Sequence, residues 1–165
     1  MIEPLHIIID SREQAPWSWS PGDATTEIRG LTAGDYALSS DTEEVRGRGS
    51  LAVRFAIERK SADDLAGTLG SGWERFLREM ARMETFPARI ILVESDFESF
   101  CFREYDGDIV PPDHNHSQIT PEFITRRLCD LAFMNISVWF AGNSQLAAGV
   151  ALHLFRARQR ILLGL

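Results

Sequence analysis

The chain has 165 residues, 44% hydrophobic and 25% charged, with a formal net charge of -7, proportions that suit one soluble domain with a proper core. The acidic balance argues against a protein held to nucleic acid by a broad basic surface, because phosphate binding draws on clustered Lys and Arg. The two cysteines, Cys101 and Cys129, are too few for a disulfide framework or a zinc site, and no apolar run is long enough to span a bilayer.

MIEPLHIIID (1–10) has neither a basic region ahead of its apolar run nor a small-residue cleavage site. A cytoplasmic protein is therefore expected, with both cysteines reduced and Cys129 in the core. LHIIID (5–10) is apolar and β-branched, a buried strand. Residues 11–30 are rich in Pro, Gly, Ser and Thr and read as a long loop, a place where function often sits. GDYALSS (34–40) is a turn leading into a strand, and 43–50 is a turn punctuated by glycine. LAVRFAIER (51–59) reads as one strand, with Val53, Phe55 and Ile57 on one face and Arg54, Ala56 and Glu58 on the other.

Residues 61–86 are helical in two pieces, broken at Gly70-Ser71-Gly72. Trp73, Phe76, Leu77 and Met80 form the core stripe of the second piece. ARIILVES (88–95) is a central strand, apolar on both faces. A short helix follows at 96–102, then a polar loop at 103–119 that carries Pro111-Pro112. Thr120 as N-cap and Pro121 at the first helical position open another helix. ISVWFAG (136–142) is a strand, and 143–162 is the final helix, with His153 and residues 156–160 on its surface. The alternation of strands and helices in the second half predicts an α/β layer: a mixed sheet with helices on both sides.

The chemistry gathers at Glu58, Arg59 and Lys60. Lys60 is the only lysine in the chain. Along a strand, residues two apart point the same way, so Glu58 and Lys60 project to one side and Arg59 to the other. A hard cation such as Mg²⁺ takes oxygen ligands, is content with one or two carboxylates and keeps several waters. Asp35, in the turn entering an earlier strand, is the best further acid; Asp10, ending the first strand, is the next. A metal held there would polarise a phosphoryl oxygen and activate a bound water. Lys60 would orient that water or neutralise charge developing on the phosphate.

Asp35, Glu58 and Lys60 resemble the pattern of the PD-(D/E)xK nuclease superfamily. GDY (34–36) followed by ERKSADD (58–64) is similar to the GD…ERKxxxD signature of the XPF-type structure-selective endonucleases. IIIDSRE (7–13) looks like that family's opening strand with its D-x-R-E, 64–83 like the helical stretch after its signature, and RIILVE (89–94) like its next core strand. The resemblance covers about two thirds of the chain. It implies a restriction-endonuclease-like mixed sheet flanked by helices, in a single domain over 1–165.

The resemblance also implies catalytic roles for Asp35, Glu58, Arg59, Lys60, Asp64 and Asp10. Metal binding would fall to Asp35 and Glu58 with the backbone carbonyl of Arg59, and to Asp10 in support. Arg12 and Glu13 would flank the site. The implied cofactor is Mg²⁺, with Mn²⁺ as a substitute. Glu79 stands where the family commonly has glutamine. No helicase region or tandem helix-hairpin-helix domain accompanies the domain, so the chain looks like a short stand-alone version from a bacterium or phage.

Plainer readings stand beside several of these. Ser61 and Asp64 fit a capping box at a helix start. Arg75, Arg78 and Arg82 can meet phosphates or pair with Glu74 and Glu79 at helical spacing. Trp17 and Trp19 can stack on unpaired bases or pin a loop to the core, the latter being preferred for at least one. DHNH (113–116) reads as a polar loop. The leading function is a metal-dependent DNA endonuclease acting at branched or single-strand-containing DNA in repair or recombination, with DNA contacts from Arg12, Arg75 and Arg78. The rivals are a non-catalytic DNA-binding or scaffold subunit of the same fold beside an active partner, and a restriction-type or recombination nuclease of the wider superfamily. A homodimer through an apolar stripe of Leu146, Val150, Leu154 and Ile161 is expected, with a separate DNA-binding partner protein as a further possibility and no membrane association.

Overall fold

A computed structural model describes residues 4–105, 107–110 and 119–165. The first strand, β1 (Leu5–Asp10), is paired in parallel with β2 (Ala24–Leu31) and antiparallel to β3 (Tyr36–Leu38). A single 3-10 turn, Ser39–Asp41, leads to β4 (Thr42–Glu44), which pairs antiparallel with β5 (Ser50–Val53). The next strand, β6 (Ile57–Lys60), lies between β3, antiparallel, and β7 (Arg89–Val93), parallel. β8 (Arg103–Tyr105) and β9 (Asp108–Val110) form a separate hairpin. With β10 (Ile136–Phe140) the main sheet has eight strands in the order β10-β7-β6-β3-β1-β2-β5-β4.

The helices are α1 (Ala62–Leu69), α2 (Trp73–Ala81), α3 (Phe97–Cys101), α4 (Pro121–Phe133) and α5 (Ser144–Leu162). Strand alternation sends side chains to two apolar layers. Ile8, Ala37, Ile91 and Val93 meet Leu65, Trp73, Phe76 and Ile124 from α1, α2 and α4. Ile7, Ile9, Tyr36 and Leu92 meet Ala147, Ala151 and Phe155 from α5. The α/β architecture with helices on both faces is the expected one. Thr120 caps α4, accepting from the Phe123 N–H, and Pro121 occupies the first turn.

Four local expectations are corrected. β2 runs through a stretch that composition marks as loop: only its first and last residues are buried, so it has no apolar face to announce it. LAVRFAIER is two strands, because the chain leaves the β4–β5 edge at residues 54–56 and re-enters the middle of the sheet. Val53 therefore packs in the first layer and Phe55 and Ile57 in the second. The 103–119 loop contains the β8–β9 hairpin, while DHNH lies outside the described residues. Cys101, not Cys129, is the buried cysteine, since Cys129 falls on the outer face of α4.

The last helix also departs from a plain surface face. Arg158 sends Nε and a terminal nitrogen to the two oxygens of Asp41 at 2.7 and 3.1 Å. The Asp41 side chain is 1% exposed. Arg156 pairs with Asp23 at 2.7 Å. Among the described residues no helix is long and apolar enough to cross a membrane.

Candidate active site

One edge of the sheet gathers the carboxyl ends of β1, β6 and β7 and the start of β3, because β3 runs antiparallel to both β1 and β6. The turn before β3 brings Asp35 to this edge. Its N–H donates to the Ile57 carbonyl at 3.0 Å and its carbonyl accepts from the Asp10 N–H at 2.8 Å. Gly34 makes that approach possible. Its φ is +70°, and a Cβ there would lie 2.5 Å from the Ala56 Cβ. Any other residue would be strained and would push the turn off β6.

Glu58 and Lys60 project together from β6, with Lys60 Nζ 2.6 Å from Glu58 Oε1 and both side chains less than a fifth exposed, at 16% and 12%. The Arg59 N–H between them donates to Asp35 Oδ2 at 2.7 Å. Burial, then the charge of Glu58, push the Asp35 carboxyl up to about 7, against the pull of the Arg59 N–H and of Lys60. Burial pulls the Lys60 ammonium down, yet Glu58 outweighs it and holds the pKa above the ordinary lysine value, with smaller help from Asp35 and Glu79. Two carboxylates and one ammonium thus share a small, largely buried space.

Asp10 is put to a different use. Its two oxygens accept from the Arg12 N–H, Arg12 Nε, an Arg12 terminal nitrogen and the Leu31 N–H, at 2.6–3.1 Å. Burial would raise its pKa, but these donors hold it below the ordinary aspartate value. A carboxylate engaged by this many donors has no ready lone pair for a metal. In this geometry Asp10 fixes Arg12 and joins β1 to β2, where the sequence places it beside the metal. Arg12 remains largely exposed and feels the charges of Asp35 and Glu58.

Ser61 caps α1: its Oγ accepts from the Asp64 N–H at 3.1 Å and donates to the Asp64 carboxylate at 2.7 Å. Arg75 is exposed and lies 3.8 Å from Glu79; Arg78 is exposed on the same helix. Both tryptophans of the 11–23 segment pin it to the body of the protein. Trp17 stacks on Tyr36 with ring centroids 4.4 Å apart, and Trp19 Nε1 donates to the Ala148 carbonyl at 2.8 Å.

Sequence reasoning assigned no role to Glu94. This residue follows β7, and its carboxylate accepts from Trp17 Nε1 at 2.7 Å and from Arg59 Nε and a terminal nitrogen at 2.8 and 2.6 Å. Glu13 meets the same guanidinium at 3.2 Å. The only local signal is an acid closing a strand that is otherwise apolar on both faces.

Among the described residues no group of three His, Cys, Asp or Glu side chains is arranged to hold a metal ion. The donor set is instead two crowded carboxylates, Asp35 and Glu58, with backbone beside them. That chemistry fits a hard divalent cation that keeps most of its waters, because a cation would relieve the repulsion from Glu58 that adds to burial in raising Asp35.

A family model described as the ERCC4 domain matches residues 9–154. Among solved structures, XPF from Aeropyrum pernix is similar at 20% sequence identity with a TM-score of 0.61. The match covers 94% of this chain and 65% of that one, so the chain spans somewhat less than two thirds of its length, and the likeness is one of fold. No curated protein matches.

Proposed function

Because the chain belongs to the ERCC4 domain family, the XPF-type nucleases, we propose that it is a divalent-metal-dependent DNA endonuclease that cuts branched or single-strand-containing DNA in repair or recombination. The observation that carries this reading is the meeting of Asp35, Glu58 and Lys60 at one sheet edge. Residues 1–165 act as one nuclease domain, working in the cytoplasm.

Asp35 and Glu58, with the Arg59 carbonyl, would hold Mg²⁺ or, as a substitute, Mn²⁺. The ion when bound supplies a polarised phosphoryl oxygen and a water of lowered pKa. Lys60 keeps a full positive charge beside Glu58 and so offsets charge developing on the phosphate. Arg59 contributes its main chain, and Asp64 sets the start of α1 behind the site. Exposed Arg12, Arg75 and Arg78 position the DNA through its phosphates, which carry no sequence information.

The test is a cleavage panel of duplex, single-stranded, flap, fork and four-way DNA. Cutting is expected with Mg²⁺ or Mn²⁺ and none with Ca²⁺ or chelator. Undiminished cleavage in chelator would remove Asp35 and Glu58 as ligands. DNA binding without cutting of any substrate would turn the reading to a non-catalytic subunit.

A second copy is the proposed partner. Leu146 and Ile161 at the two ends of the α5 stripe are 56% and 66% exposed, and Trp139 on the edge strand β10 is 46% exposed. Val150 and Leu154 between them are partly buried against the chain's own core. Light scattering is expected to give a homodimer that Leu146→Glu converts to monomer; a wild-type monomer at high concentration would reject it. With an acidic chain, a separate DNA-binding protein is the further partner that affinity would call for.

A further inference from the structure

We infer that Glu94 is the positioning residue of the metal-binding strand end, acting through Arg59. The inference rests on the nuclease reading above and deepens it. β6 must present Glu58 and Lys60 on one side while the Arg59 main chain between them stays straight. The ladder with β7 runs the whole length of β6, from Ile57 to Lys60, but on the other flank the pairing with β3 stops at Tyr36 and Ile57. Past Ile57 that flank is held, among the described residues, by the Arg59 N–H on Asp35 Oδ2. A proposed metal ligand is thus also the anchor on that side.

On the β7 flank Glu94 extends the ladder and adds a side-chain tie. Its N–H donates to the Lys60 carbonyl at 2.9 Å, and its carboxylate takes the Arg59 guanidinium in a two-pronged pair on the opposite face of the sheet. Trp17 Nε1 in turn fixes Glu94 Oε1. One acid therefore ties β6 to β7 and to the 11–23 segment. Arg59, 14% exposed and set between Glu94 and Glu13, is committed to carboxylates rather than to phosphate. Its guanidinium is scaffolding, and its carbonyl is what the scaffolding aims. Partners behind metal ligands commonly matter about 10–100-fold in affinity or activity.

The experiment compares wild type, Glu94→Gln, Arg59→Gln and the double variant. Mn²⁺ affinity is read by calorimetry on protein alone, and single-turnover cleavage and DNA affinity are read separately. Glutamine keeps the volume and an oxygen for Trp17. The expected result for Glu94→Gln is Mn²⁺ affinity and cleavage each down by about 10–100-fold, DNA affinity unchanged, and cleavage restored by excess Mn²⁺. The double variant should be no worse than the poorer single one, because both break one unit. Wild-type Mn²⁺ affinity in Glu94→Gln, or losses that add, would overturn the inference while leaving the nuclease reading intact. A wild type that neither binds Mn²⁺ nor cuts would overturn both. If circular dichroism shows Glu94→Gln unfolded, Glu13→Gln strips the other carboxylate from the same guanidinium. It should then weaken Mn²⁺ binding in the same direction, and an unchanged affinity would overturn the inference.

Discussion

Lys60→Arg is expected to lower single-turnover cleavage by about 10²–10³-fold although the charge is kept, the scale seen when a preorganised charge-stabilising group is lost. The ammonium is compact and sits 2.6 Å from one oxygen of Glu58. A guanidinium is larger and planar, and it pairs with both oxygens of a carboxylate at once. In a space this small it would close over Glu58 and draw that side chain away from the ion. DNA binding should persist, since affinity is spread over many phosphate contacts. Cleavage and binding are measured side by side, with circular dichroism as the check on folding. A variant that cuts at the wild-type rate would make Lys60 a bystander at a strand end, and the reason for the chain's single lysine would lie elsewhere.

Asp35→Asn should abolish cleavage and, at pH 8 without metal, make the protein more stable. The ordinary aspartate value is 3.8, and in the fold burial and Glu58 raise it to about 7. The folded state therefore holds the proton where the unfolded chain releases it. This group's contribution to stability is fully present below about pH 4, is lost as pH climbs towards 7, and stays lost above it. Asparagine keeps an acceptor for the Arg59 N–H and removes the charge. The gain at pH 8 should be about 1 kcal/mol, a rise of about 2–4 °C in Tm for a chain of this size. Near pH 4 it should vanish. Added Mn²⁺ should stabilise wild type and not the variant, because only a binding-competent site gains by mass action. Thermal melts at the two pH values, with and without Mn²⁺, decide it; a variant less stable at pH 8 would mean that Asp35 is not under electrostatic stress.

The parts legible in the sequence are those with local causes. The β-branched run of β1, the Gly70-Ser71-Gly72 break between α1 and α2, and the Thr120-Pro121 start of α4 each follow from residues a few positions apart. Glu58 and Lys60 are legible because strand alternation places them together, and Asp35 because it stands in a GDY turn that enters a strand and matches the family signature. The β5–β6 break was not legible: what ends β5 is the position of its partners across the sheet, which no window of sequence contains. β2 hid because its buried face is almost absent. The occupation of Asp10 by Leu31, and of Arg59 by Glu94 thirty-five residues on, are products of tertiary folding alone.

The Asp41–Arg158 pair bears on how copies of this chain can come together. Exchanging a helix between neighbours is a low-cost route to dimers, and α5 is the element such an exchange would have to lift from the core. Lifting α5 would break the pair between Arg158 and the Asp41 carboxylate, which is 1% exposed in the fold. Phe155 and Ala151, both fully buried, would be uncovered at the same moment. Exchange of α5 would therefore have to break the ion pair and uncover this core first, whereas copies meeting on surfaces already displayed would break neither.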